Sequence, residues 1–129
     1  MRRKHMLGNS DVMTDLAVKD LKTAKRFYEE VLGLKLAHGE GDEGLVFKSG
    51  NSTLHVYKSQ YAGTNKATAA TWQVDDIERI TRDLKTKGVS FEHYDMPGMV
   101  LKGDVHVAEG MKVAWFKDPD GNILCLANG

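Results

Sequence analysis

The pattern that decides the fold lies in residues 16–34, LAVKDLKTAKRFYEEVLGL, where a short apolar segment leads into an amphipathic helix. Asp20 stands at the start of the helix, where its carboxylate can accept hydrogen bonds from the unpaired N–H groups of the first turn. Gly33 stands at the end, where a left-handed residue closes many helices. Apolar residues recur between them at the helical period, at Leu21, Ala24, Phe27, Tyr28, Val31 and Leu32. The stretch therefore predicts a strand followed by a helix.

The same order of signals recurs in the second half of the chain. Thr71-Trp72-Gln73-Val74 predicts the end of a strand, Asp76 a helix cap and Gly88 a helix stop. The apolar stripe of this second helix consists of Ile77, Ile80 and Leu84. The interval from cap to stop is one residue longer in the first copy. We infer a duplicated unit of one strand, one helix and three further strands.

The duplicated unit predicts an α+β domain. We expect strands near residues 11–18, 34–39, 44–48 and 53–58, and near 68–74, 89–95, 111–117 and 122–127. Residues 118–122, Asp-Pro-Asp-Gly-Asn, predict a turn, because proline presets one dihedral angle and glycine accepts a positive φ. Residues 96–110 predict a long loop.

The expected domain covers residues 9–129. Module one is expected at about 11–60 and module two at about 67–127, and residues 1–8 are expected to be a disordered basic N-terminus.

The composition limits the classes of partner. The chain has 129 residues, enough for one domain, and its 18 basic and 18 acidic side chains give a net charge of zero. A neutral chain has no overall field to hold nucleic acid or an anionic membrane surface, and no apolar run is long enough to span a membrane. Cys125 is the only cysteine, so no intramolecular disulfide can form, which suits the cytoplasm.

The motifs resemble those of the vicinal-oxygen-chelate superfamily of glyoxalases, bleomycin-resistance proteins and dioxygenases. The resemblance rests on residues 16–21, 27–34, 74–77 and 116–124, in the order of the family. It implies two βαβββ modules that form a pair of half-barrels around a cleft. It also implies a homodimer in which one module of each chain walls a cavity, where many relatives hold a divalent metal with four protein ligands.

By the spacing of the family, the four metal positions fall at Met13, His55, Ala69 and Cys125. Metal-dependent relatives have His, Glu or Gln at most of these positions, because divalent first-row ions prefer imidazole and carboxylate ligands. Only His55 is of this type, so we expect from this departure from the family pattern neither a metal nor another cofactor in this chain. The thioether, imidazole and thiol would suit a soft ion such as Cu(I). We favour the alternative that Met13 and Cys125 line an apolar cavity.

Strand alternation predicts which other side chains share the cavity face with these positions. The expected ligand-binding residues are Asp15, His55, Tyr57, Thr71, Gln73, Tyr94, Trp115 and Cys125. Apolar or aromatic walls with a few polar groups are typical of small-molecule pockets. The alternative is that an open sheet face carries such a mixture and faces water.

Two of these residues, His55 and Cys125, are considered as a general base and as a nucleophile. His55 is the single candidate for catalysis, since imidazole titrates near neutral pH and can act as a general base. The spacing reveals no acid partner for it, so we favour a hydrogen-bonded structural histidine. Cys125 has no activating base or helix N-terminus beside it in the sequence, so it is not predicted to be a nucleophile.

The leading hypothesis is a metal-independent member of the family that binds a small molecule, in the manner of resistance proteins that sequester their ligand. One alternative is a metal-dependent glyoxalase-like lyase or dioxygenase that takes its ligands from other donors, which are Asp15, Glu92, His93 and His106. A further alternative is a non-catalytic dimer with a vestigial cavity.

Overall fold

The computed structural model describes residues 6–39 and 41–129. The first half contains β1 (Thr14–Val18), α1 (Leu21–Lys25, continued by the π-helical turn Arg26–Val31), β2 (Lys35–Gly39), β3 (Gly44–Ser49) and β4 (Ser52–Lys58). The second half contains β5 (Thr68–Gln73), α2 (Ile77–Thr86), β6 (Phe91–Glu92), β7 (Val100–Lys102), β8 (Val105–Ala108), β9 (Met111–Lys117) and β10 (Ile123–Asn128). The order of one strand, one helix and three strands therefore occurs twice, with the β7–β8 hairpin added in the second half.

The strands form two separate open sheets, one from each half. The first has the order β1-β4-β3-β2, with β1 parallel to β4. In the second, β5 is parallel to β10, β10 pairs with β9, and the far side of β9 pairs with both β6 and β8. The α+β fold with two βαβββ modules, predicted from the repeat, is confirmed.

One hydrophobic core joins the two modules. Leu16 and Val18 of β1 and Leu124 and Leu126 of β10 are buried, and both modules contribute to the same cluster. Alternating residues of these strands lie on the opposite face of each sheet, as the period of a strand requires. That opposite face therefore holds the side chains that are available to a ligand.

The first helix has one more residue between its cap and its stop than the second, and a π-helical turn accommodates this residue. In the second half of α1, the Leu32 N–H donates to the carbonyl of Phe27, five residues back, at 3.0 Å. A π-helical turn inserts one residue into a helix. The predicted caps are confirmed, because Asp20 and Asp76 each accept an N–H group from the first turn of their helix.

The second module differs from the sequence prediction in the expected strand at 89–95 and the expected loop at 96–110. Of that strand, only Phe91–Glu92 pairs in the sheet. The segment expected to be a loop contains the β7–β8 hairpin, which is stabilised because Val105 and His106 are buried against β9. Proline and glycines in this segment predicted a loop, but they lie in the turns before, within and after the hairpin.

The N-terminal segment is described only in part. Residues 1–5, which belong to the expected disordered N-terminus, lie outside the described residues, and Leu7–Asn9 forms one turn of 3-10 helix. None of the described helices is long and apolar enough to cross a membrane.

Asp118 links the two modules through a buried hydrogen-bond network. Its carboxylate accepts the Tyr28 hydroxyl at 2.6 Å and the side-chain amide of Asn122 at 2.8 Å. It also accepts the backbone N–H groups of Asp120 and Asn122, and the amide of Asn122 donates further to the carbonyl of Ala17. Burial, aided by the adjacent Asp118 charge, raises the pKa of Tyr28 far above its ordinary value. Tyr28 therefore remains a hydrogen-bond donor across the physiological pH range.

We predict that Tyr28→Phe lowers the free energy of unfolding by about 1.5–3 kcal/mol, because a buried carboxylate loses a charge-assisted hydrogen bond. Urea unfolding followed by circular dichroism measures this change. Tyr61 is 68% exposed, so Tyr61→Phe is the matched control and should change stability by less than about 0.5 kcal/mol. Equal effects of the two substitutions would contradict a linking role for the Tyr28–Asp118 contact.

Candidate functional site

The first module brings three predicted site residues together on the sheet face opposite the core. β1 pairs with β4 so that Asp15 and His55 are register partners. Asp15 Oδ1 lies 2.8 Å from His55 Nδ1. The His55 ring stacks on Tyr57 with 5.6 Å between centroids and 18° between planes. Because a carboxylate only accepts, His55 Nδ1 carries the hydrogen of this bond. The result is a carboxylate–imidazole pair beside an aromatic ring.

The acid partner of His55 was missed in the sequence, although both residues were assigned to one face. Asp15 lies 40 residues earlier in the chain, and only the parallel pairing of β1 with β4 places them side by side. The second module repeats this parallel pairing, between β5 and β10, but neither pairing is visible in the local sequence pattern.

Trp115 lies at the centre of an aromatic cluster in the second module. Its ring meets Tyr94 edge to face, with centroids 5.3 Å apart, and meets His106 in the same manner at 4.9 Å. Its Nε1 donates to Thr68 Oγ1 at 3.2 Å. The three rings come from β9, β8 and the segment that follows β6, and together they form a fixed aromatic wall.

Two of these rings, Tyr94 and Trp115, border an open groove of about 400 Å³, which is a volume typical of small-molecule sites. The residues that line the groove are Lys66, Ala67, Thr68, Glu92, Tyr94, Met96, Trp115, Lys117 and Ile123. Burial, with the nearby Glu92 charge, raises the pKa of Tyr94 above its ordinary value. The Tyr94 hydroxyl, like that of any tyrosine with an ordinary pKa of about 10, is protonated at neutral pH and can donate to a ligand.

The His106 side chain fixes the position of Tyr94 by contacting the Tyr94 backbone. It is 1% exposed, and its Nε2 lies 2.9 Å from the nitrogen and 3.1 Å from the carbonyl oxygen of Tyr94. A neutral imidazole can either accept from this N–H or donate to this carbonyl with Nε2, but it cannot do both. Nδ1 is buried without a hydrogen-bond partner among the described residues. His106 was not predicted as a ligand-binding residue, because the hairpin that buries it was not predicted from the sequence.

The remaining predicted residues lie on the strands β5 and β10. Thr71 of β5 is the register partner of Cys125 in β10. Cys125 is buried, whereas Thr71 and Gln73 are exposed. Burial raises the pKa of the Cys125 thiol, and a hydrogen bond with Thr71 opposes part of this effect. Thr71 and Gln73 line a second groove of about 400 Å³ together with Thr14 and Thr53 of the first module. The predicted residues thus divide into three groups around the Asp15–His55 pair, the Trp115 cluster and this second groove.

A β-bulge changes which residues of β5 face the aromatic groove. Thr68 pairs beside Ile123 and Ala70 beside Leu124, so Ala69 is an additional residue in the strand. A bulge of this kind interrupts strict alternation. Thr68 thereby reaches Trp115, while Ala69 packs against the hydrophobic core. The sequence analysis missed Thr68 because alternation was counted through the bulge.

The four positions at which the family holds a metal do not fit a metal ion in this chain. Met13 lies before β1 and is 40% exposed, and Ala69 has no donor atom. His55 bonds Asp15 through Nδ1, so it could offer a metal only its other ring nitrogen, and burial raises the pKa of the Cys125 thiol, which disfavours its thiolate. Within residues 6–39 and 41–129, no three His, Cys, Asp or Glu side chains gather as metal ligands would.

Comparisons with known proteins agree on one fold. The family profile described as the Glyoxalase/Bleomycin resistance protein/Dioxygenase superfamily matches residues 10–126. No curated protein matches the sequence.

Three solved structures illustrate the likeness. A glyoxalase family protein from Enterococcus faecalis has 21% identity and a TM-score of 0.72, with 95% of this chain and 99% of that chain covered. An integron cassette protein from the mobile metagenome of the Halifax Harbour sewage outfall has 18% identity and a TM-score of 0.71, with 94% and 99% covered. TnmS3, an antibiotic binding protein from Streptomyces sp. CB03234, has 19% identity and a TM-score of 0.66, with 96% and 98% covered. At these identities, the likeness shows the fold.

We predict that the Cys125 thiol of the native protein reacts with a disulfide reagent such as DTNB about tenfold or more slowly than a free thiol at pH 8. Burial limits access, and the raised pKa lowers the fraction of reactive thiolate. The released thionitrobenzoate is measured by absorbance. Because this is the only cysteine, protein unfolded in guanidinium should release one equivalent at the normal rate. A native rate equal to the unfolded rate would show that Cys125 is an accessible thiol.

Proposed function

Because this chain belongs to the glyoxalase/bleomycin resistance protein/dioxygenase superfamily, we propose that it binds a small, partly aromatic molecule without using a metal. The observation that carries this proposal is the Trp115 cluster, in which Tyr94 and Trp115 form one wall of an open groove. Aromatic rings that are fixed before binding lose little conformational entropy when a flat ligand packs against them. The groove combines this wall with a few polar groups, as small-molecule sites do.

Metal-independence is the part of the proposal that departs from many relatives. It is supported by the donor types at Met13, His55, Ala69 and Cys125, of which only the imidazole of His55 is an ordinary ligand for a first-row divalent ion. Because these donor types suit a divalent ion poorly, we propose binding of the ligand and not its metal-assisted conversion. Sequestration, as in the resistance branch of the family, is the function of this kind that we propose.

A second candidate function is catalysis at the first module. The specific observation in its favour is the 2.8 Å contact of Asp15 with His55, because a carboxylate orients an imidazole for general acid–base catalysis. Turnover of a glutathione hemithioacetal that His55→Gln abolishes would favour this candidate. Turnover that appears only when Ni²⁺ or Zn²⁺ is supplied would favour the metal-dependent lyase instead, and the same dependence of catechol cleavage on Fe²⁺ or Mn²⁺ would favour a dioxygenase.

A homodimer in the cytoplasm is also part of the proposal. Both sheets are open, and the polar faces of the two modules carry the predicted site residues in separate groups. Pairing module one of one chain with module two of another would join these groups in one cavity. The single cysteine is buried and free, which suits a reducing compartment.

Size-exclusion chromatography with light scattering should therefore give about twice the chain mass of 14.3 kDa at micromolar concentration. The physical reason is that the open sheet faces become covered only in the pair. A monomer at high micromolar concentration would contradict the paired cavity, and the groove beside Trp115 would then be the complete site.

We predict that Trp115→Phe weakens the binding of 2-naphthol, a neutral two-ring probe, by about fivefold, since an aromatic contact contributes roughly 0.5–1.5 kcal/mol. Isothermal titration calorimetry measures the affinity. The matched control is Trp72→Phe, because Trp72 lies outside the aromatic groove and donates to Ser49. Equal weakening in both variants would point to a general loss of structure, and the absence of binding by the native protein would favour a vestigial cavity.

A further inference from the structure

The charged side chains of the groove beside Trp115 indicate the charge of its ligand. Three charged residues line the groove, namely Lys66, Lys117 and Glu92. Glu92 Oε1 lies 3.6 Å from Lys117 Nζ, so these two charges largely cancel. No ion pair within residues 6–39 and 41–129 offsets Lys66. The groove thus carries a local positive charge, although the chain as a whole is neutral.

The uncharged polar groups beside the aromatic wall are also arranged to donate. Thr68 Oγ1 accepts the indole N–H of Trp115 at 3.2 Å, so its own hydroxyl hydrogen remains available to a ligand. The Tyr94 hydroxyl keeps its hydrogen at neutral pH, because the ordinary pKa of tyrosine is about 10. The groove is therefore lined by two ammonium groups and two hydroxyl groups but only one carboxylate, and this balance favours a ligand with acceptor oxygens.

We propose that the ligand class of this groove is an aromatic carboxylate. Its ring system would pack against Tyr94 and Trp115, and its carboxylate would lie between Lys66 and Lys117. This inference rests on the proposed function, because it assigns the ligand of the same site. A carboxylate gains charge-assisted hydrogen bonds from ammonium and hydroxyl groups. A cationic ligand would meet the unpaired Lys66 and would have to displace Lys117 from Glu92.

Calorimetric titration of the full chain with three naphthalene probes of the same ring size tests this inference. The probes are 2-naphthoate, the neutral 2-naphthamide and the cationic 2-naphthylmethylammonium. We expect naphthoate to bind about fivefold more tightly than the amide, because one nearby opposite charge contributes modestly at a partly exposed site. The ammonium probe should bind more weakly than the amide, and added salt should reduce both differences.

Substitutions at the groove identify the source of the preference. Lys66→Gln and Lys117→Gln should each bring the affinity for naphthoate towards that for the amide, with little effect on the amide itself. Lys112→Gln is the matched control, since Lys112 also lies on β9 but points to the other face and contacts Glu78 of α2 at 2.7 Å. It should leave the preference unchanged.

The outcomes separate this inference from the function on which it rests. If all three probes bind equally and Trp115→Phe weakens each, the aromatic groove binds ligands but the carboxylate class is wrong. Tighter binding of the ammonium probe would also overturn the inference. If no probe binds at high micromolar concentration, both the ligand class and the binding function of this groove are wrong.

Discussion

The hydrogen bond from Tyr28 to Asp118 is the contact on which the arrangement of the two modules depends. The tyrosine belongs to the helix of the first module, and the carboxylate belongs to the turn that precedes the last strand of the second. The same carboxylate organises its own turn, and Asn122 extends the network to the carbonyl of Ala17 in β1. A buried carboxylate is stable only when such donors surround it. The network therefore sets how the two open sheets, and with them the two candidate binding faces, lie relative to each other.

Much of the fold was predictable because its signals are local or periodic. The caps at Asp20 and Asp76 depend on neighbouring backbone groups, and the core faces of β1 and β10 follow from alternation. The β7–β8 hairpin was not predictable, because the burial of Val105 and His106 depends on pairing with β9. The π-helical turn was present in the sequence only as one additional residue.

The candidate site was predictable residue by residue but not as an assembly. Alternation placed Asp15 and His55 on one face, yet their hydrogen bond depends on the pairing of β1 with β4. Alternation also placed Tyr94 and Trp115 on the cavity face of the second module. Their contact, however, depends on His106, which fixes the backbone of Tyr94. The bulge at Ala69 brought in Thr68, which no periodic rule could select. The sequence pattern thus predicts which face of a strand most site residues occupy, whereas strand pairing determines which of them contact one another.

The fold often serves metal chemistry in the family, whereas this chain offers an aromatic groove and a carboxylate–imidazole pair. Metal binding tests this account most directly. Purified chain would be incubated in turn with Fe²⁺, Ni²⁺, Mn²⁺ and Zn²⁺, dialysed exhaustively and measured by inductively coupled plasma mass spectrometry. The donor types at Met13, His55, Ala69 and Cys125 predict a retained ratio close to zero for every ion. A ratio close to one ion per chain that His55→Gln abolishes would contradict the account and would favour a metal-dependent enzyme.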